Sequence, residues 1–210
     1  MIDNKEFIII GAGGHARVIA DAILTLGYTL QGFVDLEYTG QKEEILGLPV
    51  LGGLEFLDQP NQFDIALALA IGENTKRSYY YDFFMKKGFF FPSLLHPEAI
   101  ISDFSHIGDG VFINAGAVVN AEVRINNNCI INTGSIIDHE VVIGENCHVC
   151  PGAKIAGRVI IGNNSFIGTG ANIIDYIKIG HDVVIGAGCV VIKDIESKST
   201  YVGVPGRKIK

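Results

Sequence analysis

The chain has 210 residues, 48 % of them hydrophobic, which is enough to bury a core and too apolar for a disordered segment. A net charge of −7 with no basic run argues against a nucleic acid or an anionic membrane as partner. No apolar run is long enough to span a bilayer, and the polar start over residues 1–6 is not a signal peptide, so a cytoplasmic protein is expected.

Residues 1–95 read as an α/β unit. An apolar strand over residues 7–10 runs into the turn Gly11, Ala12, Gly13, Gly14, His15, and helical periodicity follows through Val18, Ala22, Ile23 and Leu26 to Gly27. A second strand is expected near residues 32–35. Pro49 and Pro60 punctuate a mixed stretch, residues 64–71 read as a third strand, and Asn74 is placed to cap a helix running to Lys87. Tyr79, Tyr80, Tyr81, Phe83 and Phe84, at helical spacing in an acidic chain, read as packing rather than base stacking.

A glycine-rich turn from strand to helix sets backbone N–H groups and a helix N-terminus against a phosphate. Asp35, twenty-two residues beyond Gly13, stands where a ribose-binding acid belongs, although such turns also serve as plain connections. The unit is long enough for about half of a Rossmann sheet. One nucleotide is therefore expected rather than a dinucleotide.

Residues 101–196 read as sixteen consecutive hexapeptides without a slip of phase. The first position is always Ile or Val, from Ile101 and Ile107 to Ile185 and Val191. The second is mostly Gly, Asn or Asp, as at Gly108, Asn126 and Gly144, and is expected to take left-handed backbone at a bend. The fifth is small or β-branched, as at Ala117, Cys129 and Ser165, and suits a tight interior corner. Period six is neither helix nor strand alone but a short strand and a turn repeated, whose core comes from stacking. This pattern resembles the left-handed parallel β-helix of the hexapeptide-repeat acyltransferases, in which three hexads form one coil of eighteen residues. The handedness rests on that resemblance. Cys129, Cys147 and Cys189 occupy the fifth position and read as core, whereas Cys150 lies out of phase.

The histidines are His15, His96, His106, His139, His148 and His181, and no pair has the spacing of the metal sites known on such rods, so no metal is expected. His139 precedes Glu140 at a corner of the coil, where neither is needed inside, and a carboxylate beside an imidazole strengthens it as a base. Gly157, eighteen residues on, leaves the space next to His139 open. His148 is one and a half faces away, on the opposite side of the prism, and Thr169 and Ala187 lie near the corner on its side. If both histidines serve one site, that site forms between subunits, and a trimer is the natural closure.

The segment from Asn132 to Gly157, with His139-Glu140 and the run from His148 to Lys154, together with Gly11 to His15 and the ending Val202-Gly203-Val204-Pro205, resembles a narrower group. It is similar to the sugar acetyltransferases typified by the bacillosamine-pathway N-acetyltransferase and the sialic-acid O-acetyltransferase-like proteins. The resemblance implies a Rossmann-like α/β domain over residues 1–95 that binds the nucleotide-sugar, an all-β left-handed β-helix acetyltransferase domain over 96–200 and a tail over 201–210. It also implies His139 as general base with Glu140 behind it, and acetyl-CoA in an intersubunit groove touching His148, Gly157, Thr169 and Ala187. The nucleotide-sugar, of UDP-4-amino-4,6-dideoxy type, is then expected on Gly13, Gly14, His15, Asp35, Gly72, Glu73 and Asn74, with Arg77 nearby. The oxyanion donor would be His148 or a backbone N–H, and Arg207, Lys208 and Lys210 either meet CoA phosphates or fray. An O-acetyltransferase acting on a sialic-acid-like sugar, and a non-catalytic sugar-nucleotide scaffold, are the alternatives.

Overall fold

The computed structural model describes residues 6–40, 43–58 and 65–210; the readings placed on residues 1–5, Pro60 and Asp64 lie outside the described residues. The chain folds as two compact units, Met1–Leu94 and Leu95–Lys210.

The first unit contains β1 (Glu6–Ile10), α1 (Gly14–Thr25), β2 (Thr29–Val34), β3 (Glu44–Ile45), β4 (Leu48–Gly52), a 3₁₀ turn (Leu54–Asp58), β5 (Ala66–Leu69) and α2 (Asn74–Lys86). The sheet order is β3-β4-β2-β1-β5, parallel except for the β3/β4 hairpin. Phe7 to Ile10 are wholly buried, as a central strand covered on both faces requires. In α1 the buried stripe is Ala16, Ile19, Ala20, Ala22 and Ile23, while Val18 faces outward. The strand expected as third is the fifth, because β3 and β4 form within the stretch read as mixed, with Pro49 inside β4. The cap of α2 is Glu73 rather than Asn74: its carboxylate accepts the Lys76 N–H at 3.2 Å. The aromatic run packs, with Tyr81 against Phe91 and Phe84 against Phe89.

From β1 the chain passes through α1 to β2 on one side, and β5 lies on the other side of β1. The order of strands therefore reverses between β1 and β5. Beyond their carboxyl ends an open α/β sheet has its crevice.

The second unit is the left-handed parallel β-helix, with two-residue strands on three faces. Strands such as Ile136–Ile137 and Lys154–Ile155 form the first face, Val142–Ile143 and Ile160–Ile161 the second, and His148–Val149 and Phe166–Ile167 the third. Each pairs in parallel with the strand eighteen residues away. First and fifth hexad positions both point inward, so Ile137, Val141, Ile143, Cys147 and Val149 are all buried. Each buried aliphatic contributes about 1.5–3 kcal/mol. That core holds the coils together.

Left-handed backbone falls at the fourth position, not the second: Glu122, Asn128, Glu140, Asn146, Arg158, Asn164, Tyr176 and Asp182 all have φ between 54° and 63°. The reason is a corner hydrogen bond. In seven of these eight, Glu122 apart, the amide turns to donate to the third-position carbonyl of the preceding coil, as Glu140 N does to Ala121 O and Arg158 N to His139 O. Second-position glycines instead permit close stacking of coils. The phase also slips once. Ile179 pairs with Ile195 and Val184 with Thr200, sixteen residues apart instead of eighteen. Asp194 Oδ1 accepts the Lys178 amide at 2.8 Å, so a side chain does there what backbone does in the regular coils, and the corner closes two residues early. The last residues are not frayed: Thr200–Val202 joins the third face and pairs antiparallel with Arg207–Lys208.

Candidate active site

β1, β2 and β5 are parallel and in step, with Ile10 opposite both Val34 and Leu69, so the turns after them share one edge of the sheet. A Cβ on Gly11 would lie 3.1 Å from Ala70 O, which shows how closely the first and last of these turns approach. Gly13, Gly14 and Gly72 are different. None has positive φ, and among the described residues nothing lies within 4 Å of where a Cβ would go. Neither backbone strain nor packing in this chain calls for glycine there.

His15 lies in the first turn of α1. Burial, and then the positive Arg77, lower its pKa from 6.5 to about 4, so the ring is neutral at neutral pH. Arg77, expected as a substrate ligand, is 1 % exposed. It donates to Ile71 O at 3.1 Å, Gly72 O at 3.2 Å and Asn74 Oδ1 at 2.9 Å. Its fork satisfies carbonyls left over where β5 ends, so it braces the Gly72-Glu73-Asn74 turn from within instead of presenting a cation at the surface. Asp35 follows β2 on the same edge, half-buried, its amide on Gly52 O at 2.9 Å.

On the rod, His139 and Glu140 form the corner between the first and second faces. Asp138 Oδ1 fixes that corner by accepting the His139 amide at 2.8 Å and Asn120 Nδ2 from the preceding coil at 2.9 Å. The two hydrogen bonds, His139 first, hold the Asp138 carboxyl below its ordinary range. His139 Nδ1 lies 3.1 Å from Glu140 Oε2. With Nδ1–H donating to the carboxylate, the lone pair is on Nε2. That atom hangs over Gly157: a Cβ there would fall 2.4 Å from Cε1 and 2.5 Å from Nε2. Glycine is thus what lets the imidazole lie in this place. The opening expected from register is real, and the ring itself fills it.

His148 lies on the third face, on the far side of the prism from His139, and is buried. Its ring stands edge-on to Phe166, and Nε2 is 3.2 Å from Asn132 Nδ2. Asn132 Oδ1 accepts from Asn114 Nδ2, Thr133 N and Thr133 Oγ1, which fixes the amide so that Nδ2 donates. His148 Nε2 therefore accepts, and the neutral ring carries its proton on Nδ1. Thr169 and Ala187 stack at the exposed corner between third and first faces, where Gly188 N donates to Thr169 O at 2.8 Å. Burial raises the Cys150 thiol to about 11, far from a reactive thiolate. Sequence reasoning missed Asn120, Arg158 and Tyr176 around the His139 corner. The signal was available, since each stands eighteen residues from the next corner residue it binds.

Residues 6–83 match the family model of the PglD N-terminal domain, and residues 158–193 match that of the bacterial transferase hexapeptide (six repeats). Perosamine N-acetyltransferase from Caulobacter crescentus, solved as a variant with CoA and GDP-perosamine, is 33 % identical, with a TM-score of 0.92 over 100 % of this chain and 98 % of that one. The acetyltransferase domain of PglB from Neisseria gonorrhoeae, solved with acetyl coenzyme A, is 34 % identical, with a TM-score of 0.90 over 98 % of this chain and 100 % of that one. WeeI from Acinetobacter baumannii is 26 % identical, with a TM-score of 0.86 over 98 % and 100 %.

Proposed function

The chain belongs to the hexapeptide-repeat sugar acetyltransferases, and from that premise we propose that it moves the acetyl group of acetyl-CoA onto the amino nitrogen of a nucleotide-linked 4-amino-4,6-dideoxy sugar, with His139 as general base. The observation that carries this reading is the His139 ring, held by Glu140 at Nδ1 with Nε2 directed over Gly157. As the amine attacks the thioester carbonyl, Nε2 takes its proton; the C–N bond forms, the C–S bond breaks, and the proton passes on to the departing CoA thiolate. A thioester is already activated, so no acyl-enzyme is needed. A backbone N–H steadies the oxyanion.

The nucleotide is held by the Gly13-Gly14-His15 turn, Asp35 and the Gly72-Glu73-Asn74 turn, with Arg77 as internal support. The three glycines without an internal reason support that placement. We take the nucleotide to be UDP from the resemblance to the bacillosamine-pathway enzyme; the Caulobacter relative, solved with GDP-perosamine, makes the GDP-linked sugar the comparison to run. Acetyl-CoA lies along Thr169 and Ala187 of a neighbouring subunit, with His148 beneath, in a homotrimer. Two features support the trimer: the His139 corner and the third face are on opposite sides of one prism, and Ile136, Ile160, Ile174 and Ile192 are exposed on the rod. No helix among the described residues is long and apolar enough to cross a membrane. Both substrates are cytoplasmic metabolites, and we place the enzyme there.

The test is release of CoA thiol from acetyl-CoA with UDP- and GDP-linked 4-amino sugars beside free sialic acid, for wild type and His139→Ala. Turnover of one amino sugar that collapses in the variant is expected. Turnover with sialic acid alone would transfer the reading to O-acetylation, and tight nucleotide binding with no thiol release would make the chain a scaffold.

A further inference from the structure

Glu140 does not serve His139 alone. Its Oε2 takes Arg158 Nε–H at 2.7 Å as well as His139 Nδ1–H at 3.1 Å, and the arginine contact is the shorter. Arg158 stands one coil on, in the same left-handed backbone as Glu140, with its amide on His139 O at 2.9 Å. The two side chains thus leave the corner in the same direction. Another coil on is Tyr176, again left-handed; Arg158 Nη1 donates to its hydroxyl, and the guanidinium carbon is 5.4 Å from its ring centroid. Three coils supply one chain of contacts, His139 to Glu140 to Arg158 to Tyr176.

We propose that Arg158 is a positioning residue for acetyl transfer: it pins Glu140 Oε2 against His139 and withholds part of the carboxylate's charge from the imidazole, while Tyr176 keeps the guanidinium in place. This rests on the reading of His139 as the base. Arg158 first and His139 second hold the Glu140 carboxyl below the ordinary glutamate range, so it stays ionised wherever an imidazole titrates. The other charged and titratable groups around the corner are Asp138 beside His139, Asp175 one coil beyond Gly157 in the same column, Lys154 on the first-face side, and Asp103, His106, Glu122 and Arg124 in the groove on the second-face side. All of them remain when Arg158 is replaced. A shift seen in such a variant therefore belongs to Arg158.

The experiment is the pH profile of kcat/KM over about pH 5 to 9 for the wild-type enzyme and for Arg158→Gln, Arg158→Lys, Tyr176→Phe and His139→Ala, with thermal melting alongside. In Arg158→Gln the imidazole faces an uncompensated carboxylate, so its protonated form gains. The acid limb is expected to move to higher pH by about half a unit, and kcat to fall about fivefold as Glu140 loosens. Arg158→Lys keeps the charge and restores the limb; Tyr176→Phe lowers kcat about twofold without moving it. An Arg158→Gln limb that coincides with wild type overturns the proposal, as does a uniform loss at every pH with a lowered Tm. So does a rise in KM for acetyl-CoA at unchanged kcat, which would make Arg158 a ligand for the substrate. If His139→Ala is inactive while Arg158→Gln behaves as wild type, only the proposal falls; if His139→Ala keeps full activity, it is the base reading that falls.

Discussion

Two corners of the rod carry the same step, an imidazole followed by a carboxylate in left-handed backbone. His139-Glu140 lies between the first and second faces and His181-Asp182 between the second and third, with φ of 59° at Glu140 and 54° at Asp182. Both rings are 53 % exposed, and both direct Nδ1 at their acid, at 3.1 Å and 2.7 Å. The His181 pair is the tighter, yet only His139 has room made for it. One coil beyond His139 stands Gly157, under the ring. Beyond His181 the coil is two residues short, and Ser197 Oγ takes the His181 amide at 3.1 Å. An imidazole–carboxylate pair is thus a common product of exposed turns. Register neighbours make one of these two a site.

The largest expected effect separates the two corners directly. His139→Ala should lose about 10²–10⁴ in turnover, whereas His181→Ala should stay within about twofold, read by thiol release at saturating substrates. Equal losses would dissolve the distinction. The buried histidine of the first unit extends the contrast, because its environment acts in the opposite direction. His15 has a folded pKa near 4 against 6.5, so below 6.5 the unfolded chain binds a proton that the folded one refuses. Stability of the first unit is full above pH 6.5 and falls until about pH 4, by about 3 kcal/mol at most. His15→Gln should flatten that slope in denaturant titrations, and a slope identical to wild type would assign it to another group.

A smaller pair of effects comes from one substitution made at each corner. The atoms nearest a methyl at Gly157 all belong to the His139 ring, which can swing away, so Gly157→Ala should cost about tenfold in kcat with little change in Tm. A methyl at Gly162 would lie 2.6 Å from His181 N and 2.7 Å from Gly180 C, backbone that cannot yield, so Gly162→Ala should cost about 1–3 kcal/mol of stability. Reversed readouts would mean that His139 is not held where its chemistry needs it. The smallest effect tests the subunit boundary. Co-expressed His139→Ala and Thr169→Trp chains, each inactive alone, should recover about a quarter of wild-type activity in mixed trimers, because a site assembled from two subunits is intact in about one arrangement of four. No recovery would put both columns in one chain.

Much of the candidate site was legible as arithmetic. Gly157 under His139 follows from adding eighteen to a residue number, and so does the separation of His139 from His148 by one and a half faces. The same addition leads from Glu140 to Arg158 and on to Tyr176, but an arginine and a tyrosine on an exposed surface carry no signal of their own. The left-handed fourth position was hidden because Gly, Asn and Asp fill the second position as well as the fourth, while Glu140, Arg158 and Tyr176, which seldom adopt that conformation, take it where their amides bond the coil before. The sixteen-residue closing coil was hidden too, since Asp194 gives no sign in the sequence that its side chain accepts a backbone amide.

What the sequence by itself determined is the period, and with it the parallel coils, the buried Ile and Val column and the corners, because stacking of identical short units leaves one solution for where apolar side chains go. Only the tertiary structure decided what each polar group does. It turned Arg77 inward, made His148 an acceptor and divided Glu140 between two partners. Those outcomes depend on distances of about 3 Å between atoms from different coils or different turns, and hydrophobic periodicity, which places side chains only as inside or outside, carries no information at that scale.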